Sequence, residues 1–210
     1  HKRARFHPLA IPVLIRVAIP ASLLLATGTP SQTYFDGAQF VHFLLGPATV
    51  ALAVPLFAQW KRLRRMALPL MVALLAGSAT AAVSAMFIAK ALGATPATVF
   101  SLAPKSVTTP IAMGVAEKIG GLPSLTAVLV IITGIVGAMG FPTLFRWLGI
   151  RDHATQGFSV GLAAHGLGTA RAFMFSEEMG AFSALAMGLN GLLTALMLPI
   201  LLPLLTPLLR

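Results

Sequence analysis

Cysteine is absent from the 210 residues, and acids are nearly so: five Asp and Glu against fifteen Lys and Arg. The first absence excludes disulfides and thiolate-bound metals. The second leaves few carboxylates for acid–base chemistry or for holding a cation. Charged residues of all kinds make up 10% of the chain, and the five histidines are scattered. Neither a phosphate-loop pattern nor a metal-ligand spacing occurs. These absences predict that the chain is not an enzyme and takes no cofactor.

What is present is apolar. Hydrophobic residues reach 57% of the chain, and the mean hydropathy is +0.90. A soluble domain of this size does not need so much apolar residue, so the composition predicts an all-α, polytopic helical membrane protein, its partner the lipid bilayer. The net charge of +10 sits in short clusters between hydrophobic runs. That pattern fits the positive-inside rule and excludes a nucleic-acid groove. One membrane domain, residues 1–210, accounts for the length. It opens on a basic flank, His1 to His7.

Hydrophobic runs predict spans at about 8–26, 38–59, 66–92, 122–145 and 181–208. Residues 8–60 read as scaffold-like spans, 66–121 as a first repeat and 122–208 as a second. Arg16 lies in the body of the first span, where it snorkels or pairs within the bundle. Tyr34 and Asp36 fall in the loop that follows. The second span is broken by Pro47 and Pro55. Lys61-Arg62-Leu63-Arg64-Arg65 is the strongest topological signal.

Two stretches interrupt the pattern. One runs from about Ala94 to Gly121 and is centred on Pro104-Lys105-Ser106-Val107-Thr108-Thr109-Pro110. The other runs from about Ala154 to Gly180 and is centred on His165-Gly166-Leu167-Gly168-Thr169-Ala170-Arg171. Sixty residues apart, they share Leu102/Leu162, Ala103/Ala163, Thr109/Thr169, Ala112/Ala172, Glu117/Glu177 and Gly120/Gly180. If the first crossed fully, Arg146 and Arg151 would face the side opposite Lys61–Arg65. A re-entrant hairpin returns them to the same, cytoplasmic side. Two hairpins entering from opposite faces form an inverted repeat with both tips near the midplane.

The chemistry of the tips points to an anion. Thr109 followed by Pro110 is a helix start, with Thr169 its counterpart. Helix N-termini deep in a membrane present unsatisfied N–H groups. Lys105, Ser106, Thr108, Gly166, Gly168, His165 and Arg171 add charge, hydroxyls and open backbone, and the space between small residues suits a small carboxylate. Lys105 serves either the anion or the carbonyls ending the preceding half-helix. His165 is either a ligand or proton handle, or a structural donor to a carbonyl. Arg171, read as the second residue of its helix, faces either substrate or a glutamate. Glu117 and Glu177 read as interface anchors.

Three segments resemble one family. Leu44-Leu45-Gly46-Pro47-Ala48-Thr49-Val50-Ala51-Leu52-Ala53-Val54-Pro55-Leu56 is similar to the LGPATVALAVPL signature of the LrgB/CidB family. Pro104 to Ala112 resembles its PKSVTTPIA segment, and Ala164 to Ala172 its HGIGTARA segment, with Leu167 where isoleucine is common. The resemblance implies one more hydrophobic segment before the point where this chain begins. It also implies two functional expectations. One is transport of small monocarboxylates such as glycolate, glycerate, lactate or pyruvate, after the plastidic glycolate/glycerate translocator and bacterial relatives linked to pyruvate uptake. The other is a holin/antiholin-like control of murein hydrolase export and lysis, acting with a small LrgA/CidA-type membrane protein. The anion chemistry favours the first, since a lesion former has no need of two polar hairpins at the midplane. An elevator-like motion of the hairpin core against the first two spans, a homodimer and an inner-membrane location complete the expectation.

Overall fold

The computed structural model describes residues 12–29, 33, 37 and 53–209. The chain divides into two compact units, His1–Val54 and Pro55–Arg210. The expectations for Tyr34, Asp36, the side chain of Arg16 and the proline-broken run at 38–52 lie outside the described residues. In the first unit, α1 (Pro12–Thr27) occupies the predicted first span and carries Pro20 inside it. It ends as Gly28 takes φ 63°, a left-handed turn that suits glycine.

The remaining described residues are helical, without a strand among them. They form α2 (Ala53–Ala58), α3 (Trp60–Ala91), α4 (Pro96–Leu102), α5 (Thr109–Lys118), α6 (Pro123–Trp147), α7 (His153–Ala172) and α8 (Glu177–Leu209). Three stretches are long and apolar enough to cross a membrane: Trp60–Ala91, Pro123–Trp147 and Glu177–Leu202. They match the predicted third, fourth and last spans to within a few residues. At 1.5 Å per residue, α3 extends about 48 Å and α6 about 37 Å, against roughly 30 Å of hydrocarbon. Their outward faces are apolar, with Leu68, Val72, Val136, Leu192 and Ile200 exposed, as lipid-facing helices require.

Between lipid-facing helices there is no hydrophobic gain in association, so close backbone packing takes over. The tightest contact is α7 on α8. A Cβ built on Gly157 would stand 2.2 Å from the Met179 carbonyl oxygen, and one on Gly161 would stand 2.0 Å from that of Ser183. Gly157 and Gly161 are four residues apart, so both lie on one face of α7 and let the two backbones touch. Phe158, Leu162, Phe182 and Ala186 close the seam against Leu70 and Leu74 of α3.

Arg62 fixes the topology of this unit. Its guanidinium bridges Asp152, the N-cap of α7, and Glu178, in the first turn of α8. The start of α3, the end of α6 and both ends of the segment 152–178 therefore share one face. The segment leaves that face and comes back to it as a re-entrant hairpin. Gly168 confirms the reversal: its built Cβ would lie 2.7 Å from Val160 Cγ1. Eight residues along a straight helix would separate them by about 12 Å. Between α3 and α6, α4 and α5 have 7 and 10 residues. Each is too short to cross a membrane alone. Residue by residue, the sixty-residue correspondence is not reproduced. Thr109 is the first residue of α5, whereas Thr169 is already the fourth residue beyond the reversal in α7.

Candidate functional site

The reversal in α7 falls on His165, at φ 40° and ψ −134°. A side chain at positive φ is strained, by about 1–3 kcal/mol, unless its surroundings hold it there. Here the ring does the holding. His165 Nε2 donates to the Val130 carbonyl of α6 at 3.0 Å, which fixes the proton on Nε2. Gly134 and Gly137 of α6 make room, since a Cβ on Gly134 would meet the His165 ring at 2.7 Å and one on Gly137 would meet Ala164 at 2.6 Å. Of the two roles open for His165, the geometry fills the carbonyl donor. Gly168 serves close packing between the limbs, while a Cβ on Gly166 would make only ordinary contact, with Met187 Sδ at 3.8 Å. Thr169 does not cap the second limb. Its hydroxyl donates to the His165 carbonyl at 2.8 Å and pairs with Ser183 Oγ of α8 at 2.8 Å.

The first break is a tight run of turns. Ala103, Lys105 and Val107 N–H groups donate to the carbonyls of Phe100, Leu102 and Pro104. Helix α4 starts on a Thr-Pro pair, Thr95-Pro96, with Thr95 Oγ1 accepting from Thr98 N–H at 3.4 Å. Helix α5 starts on another such pair, Thr109-Pro110, one residue earlier than expected: Thr108 and not Thr109 is the N-cap, and it makes no side-chain capping bond. Ser101 pins this stretch to α6. Its hydroxyl accepts from Leu122 N–H at 2.8 Å, and its carbonyl accepts from Thr126 Oγ1 at 3.1 Å. Lys105 Nζ donates to Ser106 Oγ at 3.2 Å.

A residue the sequence reading passed over joins the two breaks. Asn190, in the middle of α8 and 1% exposed, donates through Nδ2 to the Ser106 carbonyl at 3.4 Å and to the Leu162 carbonyl at 3.0 Å. Both acceptors lie beside breaks in a helix, where carbonyls lose their helical partners. One amide thus satisfies a group in each hairpin. Thr194, one turn on, donates to Asn190 Oδ1 at 3.4 Å. A cavity of about 290 Å³ opens beside this crossing, lined by Ser78, Met86, Pro104, Ser106, Asn190 and Thr194 among others. Its wall is mostly aliphatic, and Lys105, His165 and Arg171 are not part of it. A lone amide inside an apolar run was the signal available in the sequence.

Arg171 sits apart from this crossing. Because the break falls at His165, Arg171 lies in the last turn of α7, where the helix dipole favours a cation, and not at a helix start. It is 9% exposed, with Nε and Nη1 lacking partners. Its carbon Cζ lies 5.8 Å from the centre of the Phe141 ring, within cation–π range. Of the two adjacent acids, Glu178 and not Glu177 takes the Arg62 bridge. Glu177 and Glu117 are exposed.

Asp152, outside the spans, carries the N-cap of α7 by accepting from Thr155 N–H at 2.8 Å and from its hydroxyl at 2.7 Å. The Thr155 hydroxyl bond above all, opposed by burial and helped by the Thr155 N–H and Arg62, holds its carboxyl below the usual carboxylate range.

Membrane-length apolar helices around two broken hairpins define a polytopic helical membrane protein. The LrgB-like family matches residues 1–204, and the chain belongs to that family. Relatives include the protein YwbG of Bacillus subtilis, 38% identical over 87% of this chain and 81% of YwbG. The antiholin-like protein LrgB of Bacillus mycoides is 30% identical over 89% of this chain and 81% of its own length. The holin-like protein CidB of Staphylococcus epidermidis is 28% identical over 91% and 83%. No solved structure matches the chain.

Proposed function

We propose that the protein is a holin/antiholin-like membrane protein of the cell membrane, controlling murein hydrolase export and lysis with a small LrgA/CidA-type partner. The observation that carries this reading is the match, along most of both chains, to relatives named holin-like CidB and antiholin-like LrgB. The apolar outer faces of α3, α6 and α8 leave room for a small membrane partner in the bilayer plane. Co-purification with such a partner, and autolysis rates with and without the gene, test it. An autolysis rate unchanged by deletion or overexpression sinks it.

A second reading is passage of a small monocarboxylate of the glycolate, glycerate, lactate or pyruvate type. What favours it is the meeting of the two breaks at Asn190, with the basic residues Lys105 and His165 one in each break. In this reading the hairpins act as an inverted pair moving elevator-like against the first two spans, in a homodimer. Lys105, Ser106, Thr108, Thr109, His165, Gly166, Gly168 and Thr169 are the candidate contacts, with Arg171 set apart from the crossing. Uptake of labelled carboxylates into liposomes holding this protein alone separates the two readings. Neither reading gives the chain a catalytic role.

A further inference from the structure

Arg171 is a buried cation whose hydrogen bonds are incomplete. Nε and Nη1 are shut off from the surface and have no partner, and the residue as a whole is 9% exposed. The Phe141 ring meets the charge, but a ring face leaves N–H donors unmet. No carboxylate among the described residues supplies them: both ion pairs found there belong to Arg62. A guanidinium in this state is costly, and an anion from outside the chain removes the cost.

The surroundings set where such an anion comes from. The second limb of α7 heads back to the face of Asp152 and Glu178, which Arg62 ties together. Phe141 makes an edge contact with Phe175, ring centres 5.3 Å apart, in the turn between α7 and α8. Phe175, Met174 and, at the end of α6, Trp147 are exposed. Exposed aromatic and apolar groups at the end of a span mark the boundary between hydrocarbon and headgroups. Arg171 lies within about two turns of that boundary, counted along the chain to Glu178.

We propose that Arg171 anchors a binding site for a single oxyanion group, phosphate or carboxylate, separate from the Asn190 crossing. Arginine suits this task because its N–H donors lie in one plane and match the oxygens of such groups. Two sources offer that chemistry at this depth: the phosphate of an anionic lipid headgroup, and a small soluble oxyanion. The site stands under either functional reading.

The test uses the purified full chain in a neutral detergent and reads the thermal unfolding midpoint. One arm titrates phosphatidylglycerol against phosphatidylcholine. The other titrates inorganic phosphate and glycolate against chloride at equal ionic strength. The wild-type midpoint rises in at least one arm. In Arg171→Lys the half-maximal concentration moves up by about tenfold, and in Arg171→Gln by more. Lys118→Gln, a change at an exposed cation, leaves it in place. A response confined to the lipid arm assigns the headgroup; one confined to the solutes assigns the soluble anion. No response of the wild type in either arm overturns the proposal, as does Arg171→Gln responding at wild-type concentrations. If Arg171→Gln does not fold, Arg171→Lys decides alone. If both fail, native mass spectrometry of the wild type decides: retained phosphatidylglycerol, phosphate or glycolate supports the site, and none retained overturns it.

Discussion

Asn190 donates to the Leu162 carbonyl at 3.0 Å, three residues before the chain reverses at His165. The same amide nitrogen reaches the Ser106 carbonyl in the other break. Removing it leaves two buried carbonyls without this donor, at about 1–3 kcal/mol for an unmade buried bond. Asn190→Ala is therefore expected to lower stability by that order in thermal unfolding of the purified protein. Asn190→Leu fills the space without restoring the bonds and should not recover the loss. Full recovery by leucine means that the amide only fills volume.

The strain at His165 makes an unusual ordering. Alanine at φ 40° keeps the strain and loses the ring, whereas glycine loses the ring and relieves the backbone. His165→Gly should be more stable than His165→Ala by about 1 kcal/mol, the reverse of the order inside an ordinary helix. Unfolding midpoints of the two variants decide it, and alanine above glycine sinks the strained reversal.

Glycines within the spans are not equivalent. Gly161→Ala drives a methyl into the Ser183 carbonyl, whose backbone cannot step aside cheaply, while Gly140 has nothing within 4 Å of a built Cβ. Overpacking of this kind costs about 1–3 kcal/mol. Gly161→Ala is expected to unfold at lower temperature than the parent, and Gly140→Ala at the same temperature or higher. Equal effects of the two would contradict the packing of α7 on α8.

The Arg62 bridge should respond to acid. Asp152 has a folded pKa below its unfolded value, so its contribution is present above the ordinary carboxylate range, near 3.9. It is lost as pH falls through the depressed folded value. Between pH 5 and 8 the bridge is predicted to be insensitive to pH. Arg62→Gln should weaken the seam modestly, since the pair is partly exposed and screened by salt. A pH titration of the unfolding midpoint, with and without Arg62, checks both statements. A pH dependence of the bridge near neutrality would point to a different group.

The spans were legible because an unbroken apolar run longer than the hydrocarbon is thick has few other uses. The breaks were legible too, from Thr109-Pro110 and from the polar, glycine-bearing run at His165–Gly168. What local sequence did not reveal was the residue at which α7 turns. Glycine suits positive φ, yet the bond from His165 to Val130 on another helix places the turn one residue before Gly166. Misplacing the turn also moved Arg171 from the end of a helix to its start. Asn190 escaped notice because its partners are carbonyls freed by breaks 28 and 84 residues away in sequence. The choice of Glu178 over Glu177 by Arg62 is a matter of helix phase, about 100° between neighbours, which the charges alone do not set.

The central claim is that the segment between α6 and α8 enters and leaves the membrane on one face, while α4 and α5 dip from the other. The chain has no cysteine, so single cysteines read sidedness without background. Introduced one at a time at Leu63, Leu148, Phe175, Gly93 and Gly120, they are labelled with a membrane-impermeant maleimide in oriented vesicles. Positions 63, 148 and 175 should label from one side, and 93 and 120 from the other. Labelling of 148 and 175 from opposite sides would show α7 crossing the membrane, and the meeting of two hairpins at Asn190 would be lost with it.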